Sequence, residues 1–180
     1  MEKNRKNKIK KGGTMPKRED YLSWDEYFMG IAILSGQRSK DPSTQVGACI
    51  VNEEKRIVGT GYNGFPHGIS DSDPNFSWGK TGKLLETKYP FVVHAEQNAI
   101  LNSTKNLRNC TIYVGLFPCN ECAKSIIQSG IKKVMYLSDK HKKTDSTIAS
   151  KMLFNAAGIE YVKLQPREIE ITISFDENLI

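Results

Sequence analysis

From Cys110 onward the chain alternates between two periods of hydrophobicity, and this constrains its fold more than any other feature. "CTIYVGL" (110–116), "KKVMYLS" (132–138) and "IEYVKL" (159–164) are short, β-branched and aromatic runs of strand length. Between them "NECAKSIIQSG" (120–130) and "STIASKMLFNAAG" (146–158) carry apolar residues at helical spacing. Gly130 and Gly158 stand where each helix should stop. Strand–helix alternation at this spacing implies an α/β sheet with helices on its faces.

The N-terminal half supplies the remaining elements. "SWDEYFMGIAILSGQRS" opens with Ser23 three residues before Glu26, a capping box, and predicts a helix ending near Gly36. "TQVGACIVN" and "RIVGTGYN" predict two strands joined by a hairpin turn at "EEK". Residues 63–89, rich in Gly, Pro, Asp and Ser, predict a long surface loop with one helical turn near "GKLLETK". "EQNAILNS" predicts a further helix, and the alternating "EIEITISF" (168–175) a last short strand.

Residues 1–14 hold six Lys/Arg and one Glu, so five of the six net positive charges sit there. This segment reads as a disordered basic leader, followed by one domain over 15–165 and an extension over 166–180. The remaining body is close to neutral, which argues against a nucleic-acid track. No apolar run is long enough to span a bilayer, and the N-terminus has no secretory h-region. A cytoplasmic protein with no membrane or nucleic-acid partner is therefore expected. Of the four cysteines, Cys49 and Cys110 lie inside apolar runs and read as core residues.

The other two carry chemistry. "PFVVHAEQNAIL" breaks an apolar run with His94 and Glu96 at the start of a predicted helix. Pro118-Cys119-x-x-Cys122 opens the next long helix. Two helix N-termini at one sheet edge can bring one imidazole and two thiolates together. Three protein ligands leave a zinc ion an open position, the mark of a catalytic site, and helix N-termini favour thiolates. Glu96, two residues from His94, stands beside the metal rather than on it, where a proton shuttle belongs. Zinc deaminases of nucleobases carry this arrangement.

The stretches "YFMGIAILSGQRSKDPSTQVGACIVN", "IVGTGYNGFPHG", "TKYPFVVHAEQNAI" and "LFPCNECAKSIIQSGIKKVMYLSDK" resemble the animal deoxycytidylate (dCMP) deaminases, within the zinc-dependent cytidine and deoxycytidylate deaminase family. The similarity runs from about Lys17 to beyond Gly158, and "RSKDP" and "GYNG" are more specific than the zinc motif. It implies a three-layer cytidine-deaminase-like fold with a central mixed five-stranded sheet and helices on both faces. It implies conversion of dCMP to dUMP and ammonia for thymidylate synthesis, with one zinc held by His94, Cys119 and Cys122 and with Glu96 catalytic.

The resemblance also implies activation by dCTP with Mg2+, inhibition by dTTP, and a homohexamer. Substrate contacts are expected at Asn63 and Ala95, and at Arg38, Lys140 and His141 for the phosphate. Effector contacts are expected at Lys40, Gly64, Gly68, Lys80 and Lys83, through backbone donors at the glycines and cations at the lysines. The rival reading is a tRNA or single-stranded DNA base deaminase, which shares the zinc motif but needs a basic track.

Overall fold

The computed structural model describes residues 15–179, so the basic leader at 1–14 lies outside the described residues. Helix α1 (Trp24–Gly36) begins on the predicted capping box: Ser23 Oγ accepts from the Glu26 N–H, and the Glu26 carboxylate accepts from the Ser23 N–H. Strands β1 (Gly47–Val51) and β2 (Ile57–Tyr62) form the hairpin, with Lys55 at φ 59° in its turn. Helix α2 (Ala95–Leu101), strand β3 (Thr111–Leu116), helix α3 (Asn120–Gln128), strand β4 (Lys133–Ser138), helix α4 (Asp145–Ala157) and strand β5 (Glu160–Lys163) follow. Gly130 and Gly158 both have positive φ, as their positions after α3 and α4 require.

The five strands make one mixed sheet in the order β2-β1-β3-β4-β5. Strand β1 is antiparallel to β2 and β3, while β3, β4 and β5 run parallel. Alternate residues of each strand face opposite layers. On one face Cys49, Val51, Tyr113 and Met135 pack against Phe28, Met29 and Ala32 of α1. On the other, Ala48, Ile50, Ile112, Val114 and Val134 pack against Ala95, Ala99, Ala123, Ile126 and Phe154 of α2, α3 and α4. This is the expected three-layer fold, with Cys49 and Cys110 buried in it.

The C-terminal expectation fails. Residues 164–176 contain no strand, and a 3₁₀ turn spans Glu177–Leu179. The segment leaves the sheet at Pro166, which has no N–H to give a ladder. Arg167 is then held by Glu26 on α1, its N–H and guanidinium donating to the carboxylate at 2.6 and 3.0 Å. These contacts take the chain across α1, where Ile171 lies against Gly30, rather than along the sheet edge.

Helix α2 sits on β2 with almost no space between them. A Cβ at Gly61 would lie 2.3 Å from the Ala99 nitrogen and 2.4 Å from the Ala95 carbonyl oxygen. Gly61→Ala should therefore push α2 off the sheet and destabilise by about 1–3 kcal/mol, towards the upper end because both contacts are backbone. Thermal unfolding of the variant checks this. An unchanged midpoint would mean that α2 can shift freely.

Candidate metal centre

His94 and Cys119 are N-cap residues, of α2 and α3 respectively, and Cys122 is in the first turn of α3. The sheet brings these helix starts together. β3 delivers Phe117 to Ser138 at the end of β4, where the Phe117 N–H donates to the Ser138 carbonyl at 2.8 Å, and Pro118-Cys119 follow at once. His94 arrives by another route: Val93 pairs with Gly64, just beyond β2, through two hydrogen bonds of 2.8 and 3.1 Å.

His94 Nδ1 lies 3.4 Å from both Cys119 Sγ and Cys122 Sγ, and the three ligand atoms lie within 4.8 Å of one another. Zinc bonds of about 2.0–2.3 Å at tetrahedral angles place an imidazole nitrogen and a thiolate sulfur about 3.5 Å apart. The residues fit that ion.

Their protonation fits it too. The Cys119 thiol is pulled down to about 4, first by its hydrogen bond with Cys122 and then by His94. Cys122 is pushed up by the same bond and by burial. The hydrogen bond with Cys119 raises His94 to about 9, while burial and the charge of Lys88 oppose the rise. One proton is thus shared between thiols that a metal would claim as thiolates, so acid should weaken metal binding. Glu96 is 5% exposed, and burial raises its pKa, against the nearby charge of His94. A buried carboxyl beside the three ligand atoms, with its affinity for protons increased, is chemically suited to exchanging protons.

The matching family model is the "Cytidine and deoxycytidylate deaminase zinc-binding region", over residues 22–138. The chain belongs to this family. It is 55% identical over 162 residues to the human deoxycytidylate deaminase, covering 89% of this chain and 90% of the relative. It is 50% identical over 177 residues to a probable deoxycytidylate deaminase of Drosophila melanogaster, covering 94% and 86%. Among solved structures, the dCMP deaminase of cyanophage S-TIM5 in complex with dCMP and dUMP aligns with a TM-score of 0.58 at 30% identity, over 77% of this chain and 95% of that one.

The other predicted residues are more dispersed. Ala95, fully buried, is the first residue of α2. Arg38 and Lys40 are exposed just after α1, where Lys40 reaches Asp71 at 3.5 Å and stands over the Tyr62 ring. Lys140 and His141 are exposed beyond the end of β4. Past their loop, Ser146 at the start of α4 donates its Oγ to Asn120 Oδ1 at 2.7 Å, next to Cys119. Lys80 and Lys83 are exposed on the long loop, and Gly68 has φ 91° there.

Two expectations change. The Gly64 N–H donates to the Val93 carbonyl, so it is not a free donor for an effector. The Asn63 amide is turned inward: Oδ1 accepts from the Val46 N–H at 2.9 Å, and Nδ2 donates to the Thr44 carbonyl at 3.0 Å and to Asp41 at 3.3 Å. It shapes the 41–46 loop.

Sequence reasoning missed the buried pair Asp41 and Lys88 altogether. The long surface loop over 63–89 carries its expected helical turn at Leu84–Glu86, but sequence reasoning also missed that Phe65, Phe76, Trp78 and Phe91 form an aromatic cluster that holds the loop against the segment leading to His94. The density of aromatics in "NFSW" and "PF" was the available signal.

Proposed function

We propose that this chain is a zinc-dependent deaminase that converts dCMP and water to dUMP and ammonia. The observation that carries the reading is His94 Nδ1 placed 3.4 Å from two thiols, with the buried carboxyl of Glu96 beside them. Zinc bound by His94, Cys119 and Cys122 would supply a Lewis acid that lowers the pKa of water towards neutrality.

The chain's own residues do the rest. The Glu96 carboxylate removes a proton from the attacking water and delivers it to the ring nitrogen beside the reacting carbon. It then passes the second proton of that water to the departing amine, so ammonia leaves and a carbonyl remains. Burial keeps Glu96 out of bulk water between these transfers. Asn63, its amide already committed, acts on the nucleoside site through the 41–46 loop, and Ala95 through the start of α2 that it packs down. Arg38, Lys140 and His141, on two loops at the sheet edge, are the candidates for the 5′-phosphate.

Release of ammonia from free dCMP, compared with cytidine and with a cytosine-containing oligonucleotide, tests the reading. Preference for dCMP is expected. Preference for the oligonucleotide would instead support a nucleic-acid base deaminase.

The family resemblance extends the proposal to dUMP supply for thymidylate synthesis in the cytoplasm and to a homohexamer activated by dCTP with Mg2+ and inhibited by dTTP. The effector cations would be Lys40, Lys80 and Lys83, with the Gly68 turn as a backbone site. If dCTP favours an active state, dCMP must in turn tighten dCTP binding, and a coupling of ~1–3 kcal/mol shifts apparent affinity by roughly 5–150-fold. A sigmoidal dCMP curve that becomes hyperbolic with dCTP and moves right with dTTP is expected. Hyperbolic kinetics insensitive to both would remove the regulatory assignment.

A further inference from the structure

We propose that the buried Asp41–Lys88 ion pair is a positioning strut for the metal centre, fixing the turn that delivers His94. The proposal rests on the zinc-site reading above. Asp41 is 2% exposed and Lys88 6%, and the ammonium donates directly to Asp41 Oδ2. Asp41 is fully engaged: Oδ1 accepts from the N–H groups of Ser43 at 2.9 Å and Thr44 at 3.2 Å, and Oδ2 also accepts from Asn63 Nδ2.

Lys88 is also the hub of the turn before His94. Its carbonyl accepts from the N–H groups of both Phe91 and Val92 at 3.0 Å. Val93 then pairs with Gly64 in both directions, and Gly64 is covalently joined to Asn63, which holds Asp41. The links close a ring: Asp41, Lys88, the 88–92 turn, Val93, Gly64, Asn63 and back to Asp41. His94 is the next residue out of that ring.

Stability alone does not account for such a pair. Taking two charges out of water costs as much as their attraction returns, and apolar residues of similar volume are often as stable. What an ion pair adds is direction. Here it joins segments 47 positions apart in sequence and sets the distance between the 41–46 loop and the turn that carries the imidazole. Neither residue is one of the three clustered ligand side chains, and their connection to the site runs through the turn before His94.

Two variants of the full-length protein test this: the double variant Asp41→Asn/Lys88→Met, which removes both charges, and Asp41→Glu, which keeps both but displaces the carboxylate by one methylene. Each is measured for zinc retention against a competing chelator, for kcat and KM with dCMP, and for Tm. Both should lose zinc about 10-fold more readily than wild type, with kcat reduced about 10-fold or more, as for supporting residues around metal ligands. The Tm of the double variant should fall only by the few degrees that 10-fold weaker zinc binding takes away, and its chelator-treated Tm should match that of chelator-treated wild type.

Wild-type zinc retention and kcat in Asp41→Glu, or in a folded double variant, would overturn the strut. If the double variant does not fold, Asp41→Glu decides. A wild-type protein that bound no zinc would overturn the metal-site reading and the strut with it. Zinc-loaded, active wild type with unaffected variants would overturn the strut alone.

Discussion

Glu96→Ala is expected to keep its zinc and lose nearly all turnover. General acid–base catalysis contributes ~10²–10⁴-fold, and Glu96 is the one group assigned to every proton transfer in the proposed reaction, so the loss should be at least of that size. The three ligands are untouched by the change. Alanine is the best helix former, so α2 and its N-cap His94 should persist. The space left by the carboxyl lies in a polar cluster beside Cys122, where water can replace it. Metal analysis and dCMP turnover on the same preparation separate the two properties. A variant with wild-type rates would remove Glu96 from the mechanism, and a variant without zinc would make the carboxyl part of the metal shell instead.

The parts of the site that could be read in the sequence are those written locally. His94 and Glu96 are two positions apart, Cys119 and Cys122 three, and each pair opens a helix, so helix geometry alone sets its internal spacing. The capping box at Ser23 and Glu26 and the glycine stops at 130 and 158 are local in the same sense. Asp41 and Lys88 are not: an isolated Lys in "ETKYP" looks like any solvated surface charge until the fold buries it.

The "EIEITISF" segment fails for a related reason. Alternation states which side chains share a face, but a strand also needs a neighbour to complete its ladder. Pro166 and the Arg167–Glu26 contact lead this segment onto α1 instead. Gly64 and Asn63 illustrate the same limit at single residues. Ligand contacts are expected at Asn63 and Gly64 of "GYNG", yet tertiary pairing with Val93, Val46 and Asp41 uses their polar groups.

Cys122→Ala should abolish zinc binding and lower stability together. Cys122 is fully buried in the first turn of α3, and its thiol belongs to the one group of three side chains, among the described residues, placed to hold a metal. The two remaining ligands, His94 and Cys119, would hold zinc far more weakly. The stability change follows from linkage, because an ion bound only by the folded state stabilises it by about 4 kcal/mol when free zinc stands 1,000-fold above its Kd. For a chain of this size that corresponds to a Tm difference of about 8–16 °C. The core on both sheet faces does not depend on the metal, so the variant should fold at the Tm of chelator-treated wild type rather than fail to fold. Added zinc should raise the wild-type Tm and leave the variant's unchanged. Acid should mimic the substitution in the wild type, since protons compete for the thiolates and the imidazole. Undiminished zinc in the variant would show that the ligand set is not His94, Cys119 and Cys122. A Tm drop without loss of zinc would show that Cys122 matters only as a packed residue of α3.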